Sequence, residues 1–198
     1  MIHRLTIATF VILWFGCRPA DTYQDVEYQN FDLKALVQQL IENQASVKNY
    51  TVHKISTANG IEEQSEIGTP DSLFWEKELT PLLKADINKP SLKGVYKISD
   101  GVADQKSNLQ RLVYAALPSA NADVMRLEIK YLDNASEVRQ VIAWISTKNP
   151  VYDSKQKISL WVNKYNNRLM IDSLSIKGFN KTIMQDSLIY QTRLIVNH

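Results

Sequence analysis

Apolar residues first recur at helical spacing in residues 33–41, where Leu33, Leu36, Val37, Leu40 and Ile41 fall at i, i+3, i+4, i+7 and i+8. That spacing gathers them into one stripe and predicts an amphipathic helix, with Asn30 or Asp32 placed to cap its first turn. Residues 49–57 (NYTVHKIST) and 61–67 (IEEQSEI) flank Asn59-Gly60. An Asn-Gly pair suits the two positive φ angles of a type I′ turn, so this segment reads as a β-hairpin. A second helix starts near Asp71, after Thr69-Pro70, and turns Trp75, Leu79, Leu82 and Leu83 inward. Pro81 falls within that pattern and predicts a kink or restart. Asn88-Lys89-Pro90 marks the helix end.

From Lys93 onward the period drops from 3.6 to 2. Met125, Leu127, Ile129 and Tyr131 alternate with Arg126, Glu128 and Lys130, the pattern of a strand with one wet face. Ile158, Leu160 and Val162 alternate with Lys157, Ser159, Trp161 and Asn163, and Leu188, Tyr190, Thr192, Leu194 and Val196 repeat the scheme. Residues 138–145 are apolar at both parities, as in a central strand. Asp133-Asn134, Asn149-Pro150, Asn166-Asn167 and Gly178 supply turn chemistry between strands. The predicted fold class is α+β: about seven to nine antiparallel strands in a curved meander sheet, covered by the two N-terminal helices. Leu36, Leu40, Trp75, Leu79, Leu127, Ile129, Leu160 and Leu194 are its expected core.

Composition narrows the chemistry. The 198 residues suit one domain, and 44% hydrophobic with 22% charged is ordinary for a globular chain. The net charge of +2 arises from 23 basic and 21 acidic residues without long runs, so nucleic acid is not an expected partner. There is one cysteine and there are three histidines. His3 stands in the leader and His198 is the last residue, which leaves His53 as the histidine expected in the folded region. Histidine-based metal centres and Ser-His-Asp arrangements are thereby disfavoured, and neither metal nor cofactor is expected.

The first residues have a different character. Met1-Ile2-His3-Arg4 is a short basic start, followed by the apolar run of residues 5–15 (LTIATFVILWF) and then Gly16-Cys17. The run is too short for a membrane-spanning helix, which needs about 20 residues, but fits an export signal. Trp14-Phe15-Gly16-Cys17 resembles the lipobox of bacterial lipoproteins, although Trp14 and Phe15 replace the usual Leu and small residue. That resemblance implies acylation at Cys17 after removal of a signal peptide at residues 1–16. Residues 17–30 then read as a tether and residues 31–198 as the folded domain. Two or more acyl chains anchor stably where one does not. Arg18 is not the aspartate that resembles an inner-membrane retention signal, so the outer membrane is favoured. Surface-exposed lipoproteins of Bacteroidota often carry an acidic cluster just after the cysteine; only Asp21 and Asp25 lie near Cys17, so comparison with them favours the periplasmic side over the surface.

Phe31-Asp32-Leu33-Lys34, Trp75-Glu76-Lys77-Glu78-Leu79 and Ala85-Asp86-Ile87-Asn88-Lys89-Pro90 resemble recurring elements of uncharacterised cell-envelope lipoproteins from Bacteroidota. The resemblance implies an envelope location and carries no activity. Glu62, Glu63, Glu66, Glu76 and Glu78 read as solvated charge, not acid–base catalysts, and His53 as a half-buried strand residue. Trp161 shares the wet face of its strand, where an indole can stack on a sugar or anchor a protein; alternatively it packs across strands. Asp-Ser-Leu triplets at Ser72, Ser173 and Ser187 match the short O-glycosylation pattern of Bacteroidota; alternatively Ser72 is a helix cap and the others are strand serines. The expected function is a non-enzymatic binding or accessory role with an envelope protein or glycan partner. The alternative is a half-barrel-like carrier of lipid or another amphiphile, which requires an apolar cavity under the helices.

Overall fold

The computed structural model describes residues 30–198; Cys17, the signal and almost all of the tether lie outside them. Helix α1 spans Leu33–Ala45, and Asp32 caps it by accepting from the Ala35 amide. Helix α2 spans Ser72–Leu83 and is capped the same way by Asp71 on the Phe74 amide. The strands are β1 Thr51–Ala58, β2 Ile61–Gly68, β3 Tyr96–Ala103, β4 Gln110–Ala116, β5 Val124–Tyr131, β6 Val138–Lys148, β7 Tyr152–Tyr165, β8 Arg168–Thr182 and β9 Leu188–Asn197. They form one antiparallel sheet in the order β2-β1-β9-β8-β7-β6-β5-β4-β3. Thus β3 to β9 make the expected curved, unclosed meander, and the early β1–β2 hairpin joins it through β9.

The helices lie on one face, which we call inner. Leu33, Leu40, Trp75, Leu79 and Leu82 pack there with Leu127, Ile129, Ile158, Leu160, Ile171 and Leu194, all at 0% exposure. The eight expected core residues are all buried, Leu36 the least so at 7%. Tyr50 ties the layers together: its hydroxyl accepts from Trp75 Nε1 at 2.8 Å and donates to the Pro70 carbonyl at 3.1 Å. Burial raises its pKa above the usual tyrosine value. Turn chemistry sits where expected at Asn59-Gly60 and Asn166-Asn167, all with positive φ.

Four local expectations are corrected. Helix α2 runs through Pro81 and ends at Leu83, before Asn88-Lys89-Pro90. Pro81 has no N–H to offer the Lys77 carbonyl, but the helix ends two residues later, so the loss is confined to the last turn, which buried Leu82 holds against the core. Leu83 is exposed. Met125 is also exposed, because a bulge between Val124 and Arg126 hands the inner position to Val124. Gly178 makes no turn; it lies inside β8, paired with Gln156 and Tyr190, where a Cβ would collide with the Tyr190 ring.

Candidate functional site

Alternation along β7 sends Ile158, Leu160 and Val162 to the core and Lys157, Ser159 and Trp161 to the outer face. Trp161 is 38% exposed there, paired with Gln140 of β6 and Ser173 of β8. It lines a cleft of about 580 Å³ together with Lys106, Lys130, Arg139, Asn163 and Asp172, among others. Irregularities in neighbouring strands shape this cleft. The register shift opposite Trp161 and Val162 inserts Asp172 into β8, and its carboxylate accepts from the Tyr165 hydroxyl at 2.8 Å. That contact raises the Tyr165 pKa. A second shift, between Lys130 and Tyr131, leaves Arg139 as the extra residue on β6.

The far wall is the connection between β3 and β4. It closes through the Asp104 amide on the Leu109 carbonyl at 2.9 Å. The Asp104 carboxylate accepts from Ser107 Oγ at 2.7 Å and Lys130 Nζ at 3.2 Å, fixing the connection to β5. The Ser107 bond and then the Lys130 contact hold the Asp104 carboxyl below its usual range. Lys130 is therefore neutralised, while Lys106 and Arg139 have no ion-pair partner among the described residues. The result is an indole face, amide and hydroxyl donors, cationic groups and the two engaged carboxylates of Asp104 and Asp172 around one open cleft: a surface for holding a ligand.

Sequence-predicted residues do not all converge here. Ser173 stands directly opposite Trp161 and is half-buried. Ser72 is the exposed first residue of α2; the cap is its neighbour Asp71. Ser187 is half-buried just before β9, outside any strand. Glu62, Glu63 and Glu66 lie exposed on the free edge strand β2, and Glu76 is exposed on α2. Glu78 departs from the solvated reading: it is buried and pairs with Lys54 of β1. His53 is half-buried, its Nδ1 3.6 Å from Glu66.

His198 is also part of the folded domain, against the expectation that left His53 alone. Its Nε2 lies 2.9 Å from the Ile171 carbonyl and its ring 4.4 Å from that of Tyr165. These rings line a second cavity of about 500 Å³ with Tyr50, Arg168 and Met170. No periodic pattern reveals it, because its walls come from the α1–β1 connection, the β7–β8 turn with the start of β8, and His198.

Among the described residues, no group of three or more His, Cys, Asp or Glu is arranged to hold a metal ion. No helix among them is long and apolar enough to cross a membrane. No family model matches the sequence, and the curated proteins contain no match to it.

Proposed function

We propose that this protein is a lipid-anchored lipoprotein of the outer membrane, favouring the periplasmic side, whose domain binds an envelope partner without catalysing a reaction. The observation that carries the binding role is the outward Trp161, 38% exposed in an open cleft with flanking cations and hydrogen-bond donors. Indole rings in such places serve as anchors, for protein or for sugar. The anchor itself follows from Cys17 after the apolar run. A carrier would need a cavity under the helices. That interface is instead occupied by fully buried side chains from both layers, which supports the binding role.

The test is to recover the acylated protein from native envelopes, wild type beside Trp161→Ala, and identify both proteins and lipids that come with it. A partner retained by the wild type and lost from the variant is the expected outcome. Cys17→Ser should accumulate as precursor and take up no labelled fatty acid. Normal labelling of that variant would refute the anchor, and a co-purifying amphiphile would refute the binding role in favour of a carrier.

A further inference from the structure

Lysine and arginine are scattered along the sequence, but the strand registers collect them on the outer face. Lys97 lies in one cross-strand row with Ala115, Arg126, Trp144, Lys157, Lys177 and Gln191. The adjoining row runs from Glu128, which is buried and paired with Arg126, through Ile142, Ser159 and Ser175 to Arg193. On the other side Lys155 pairs with Ser146 and Phe179. Since side chains alternate across a strand, all of these project away from the helices.

Most of this charge is uncompensated. Arg126 bonds Glu128 at 2.7 Å, but no ion pair among the described residues includes Lys97, Lys155, Lys157, Lys177 or Arg193. Lys157 and Lys177 stand directly opposite each other, an arrangement that destabilises a sheet unless an anion intervenes. Lys157 is also held in place: its Nζ lies 5.1 Å from the Trp144 ring centroid, and Arg126 lies 5.6 Å from it. Along β7 the basic face then leads, past Ser159, into the Trp161 cleft. From Lys155 to Trp161 is about 20 Å of strand, the reach of a short oligosaccharide.

We propose that this face binds an acidic polysaccharide, one sugar ring stacking on Trp161 while carboxylate or sulfate groups pair with Lys155, Lys157, Lys177 and Arg193. The proposal rests on the binding role assigned to the Trp161 cleft and names its partner. Three kinds of polyanion could meet such charge, and the geometry separates them. A bilayer surface is too broad to enter a cleft walled by the β3–β4 connection, where the open indole lies. Single-stranded nucleic acid stacks successive bases on successive aromatic rings, whereas the Trp144 ring is already taken by Arg126 and Lys157. A charged sugar chain needs one stacking face, hydroxyl partners such as Gln140, Asn163 and Ser173, and spaced cations; all three are present.

The test is titration of the protein with polygalacturonate and with heparin, beside neutral dextran, a single-stranded oligodeoxynucleotide and phosphatidylglycerol vesicles. Acidic glycans should bind most tightly and weaken with added salt. Lys157→Glu/Lys177→Glu should lower their affinity at least about tenfold, with an unchanged thermal melt. Trp161→Ala should lower it as well, and Trp161→Phe should retain it. Binding that ignores the charge reversal would overturn the proposal, as would equal affinity for the oligonucleotide or the vesicles. Trp161-dependent binding of dextran, indifferent to the lysines, would overturn it while leaving the cleft as the binding site. Lysine-dependent glycan binding indifferent to Trp161 would overturn the cleft reading itself, and with it the stacking on which this proposal depends.

Discussion

Replacing Gly178 by alanine should destabilise the domain, although the same change usually stabilises a chain by about 0.4–1 kcal/mol through the unfolded state. Tyr190, the cross-strand partner of Gly178, lays its ring over the bare backbone, and an added Cβ would overlap Cζ, Oη and Cε1. That ring packs against the core, and its hydroxyl accepts from Gln156 Nε2 at 3.0 Å. To admit a methyl group the ring must swing away, losing a hydrogen bond of about 1 kcal/mol together with part of its apolar cover. Overpacking of this kind costs about 1–3 kcal/mol, so after the unfolded-state gain the net loss should be about 1–2 kcal/mol. Urea unfolding, followed by tryptophan fluorescence and far-ultraviolet circular dichroism, measures it. In a Tyr190→Ser background the same alanine should be neutral or slightly stabilising. A neutral Gly178→Ala in the wild type, or an equal cost in both backgrounds, would refute the close-approach argument.

Asp104→Asn should lower stability at neutral pH by removing a carboxylate whose folded pKa lies below its usual value. A depressed folded pKa gives stability that is full above the unfolded value and is lost as pH falls through the folded one. The two proteins should therefore converge in strong acid, and parallel urea series down to pH 2 would expose a constant gap. Tyr96, pushed up to about 12 by burial and by the charge of Asp123, behaves in the opposite sense. The unfolded chain ionises first, so stability falls from the ordinary value of 10.0 up to about 12. Tyr96→Phe should reduce the slope in that window by about 1.4 kcal/mol per pH unit; an unchanged slope would count against it. Glu78→Ala should cost about 1–3 kcal/mol, less than a wholly buried pair because the Lys54 side chain is 27% exposed. Lys54→Met/Glu78→Met should recover most of that loss, and calorimetric melts of the two variants would reveal a failure to do so.

What could be read from the sequence was what depends on near neighbours. The stripe from Leu33 to Ile41 and the Asn59-Gly60 turn are set within a few residues, and each appears where its pattern puts it. The outward direction of Trp161 follows from parity along a single strand. Met125 broke the same rule because a bulge at the start of β5 makes it the extra residue, while Leu127, Ile129 and Tyr131 beyond it keep the expected parity. Gly178 read as a turn because its reason for being glycine, the Tyr190 ring, belongs to another strand. The candidate site shows this limit most clearly. Trp161 was visible, but Asp104, Lys106, Lys130 and Arg139 reach it only through the pairing of separate strands. Charges that look dispersed in the sequence become a basic face for the same reason. The buried partnership of Glu78 with Lys54 equally required knowing that α2 lies over β1.

The pairing of β1 with β9 has a consequence for the order in which the domain can assemble. The β1–β2 hairpin is made early, yet its neighbour in the sheet is the last strand. Until β9 arrives, β1 keeps one unpaired edge, and Val52 lacks its cross-strand partner Val196. Contacts of such long sequence separation slow folding, because the loop must close before the contact is gained. An open edge during that delay invites pairing with other chains. The ribosome or an export channel therefore has to release the chain through β9 before this sheet can be completed. Deletions near residues 188–197 should be far more damaging to soluble yield than deletions of equal length in the solvent-facing strand β2.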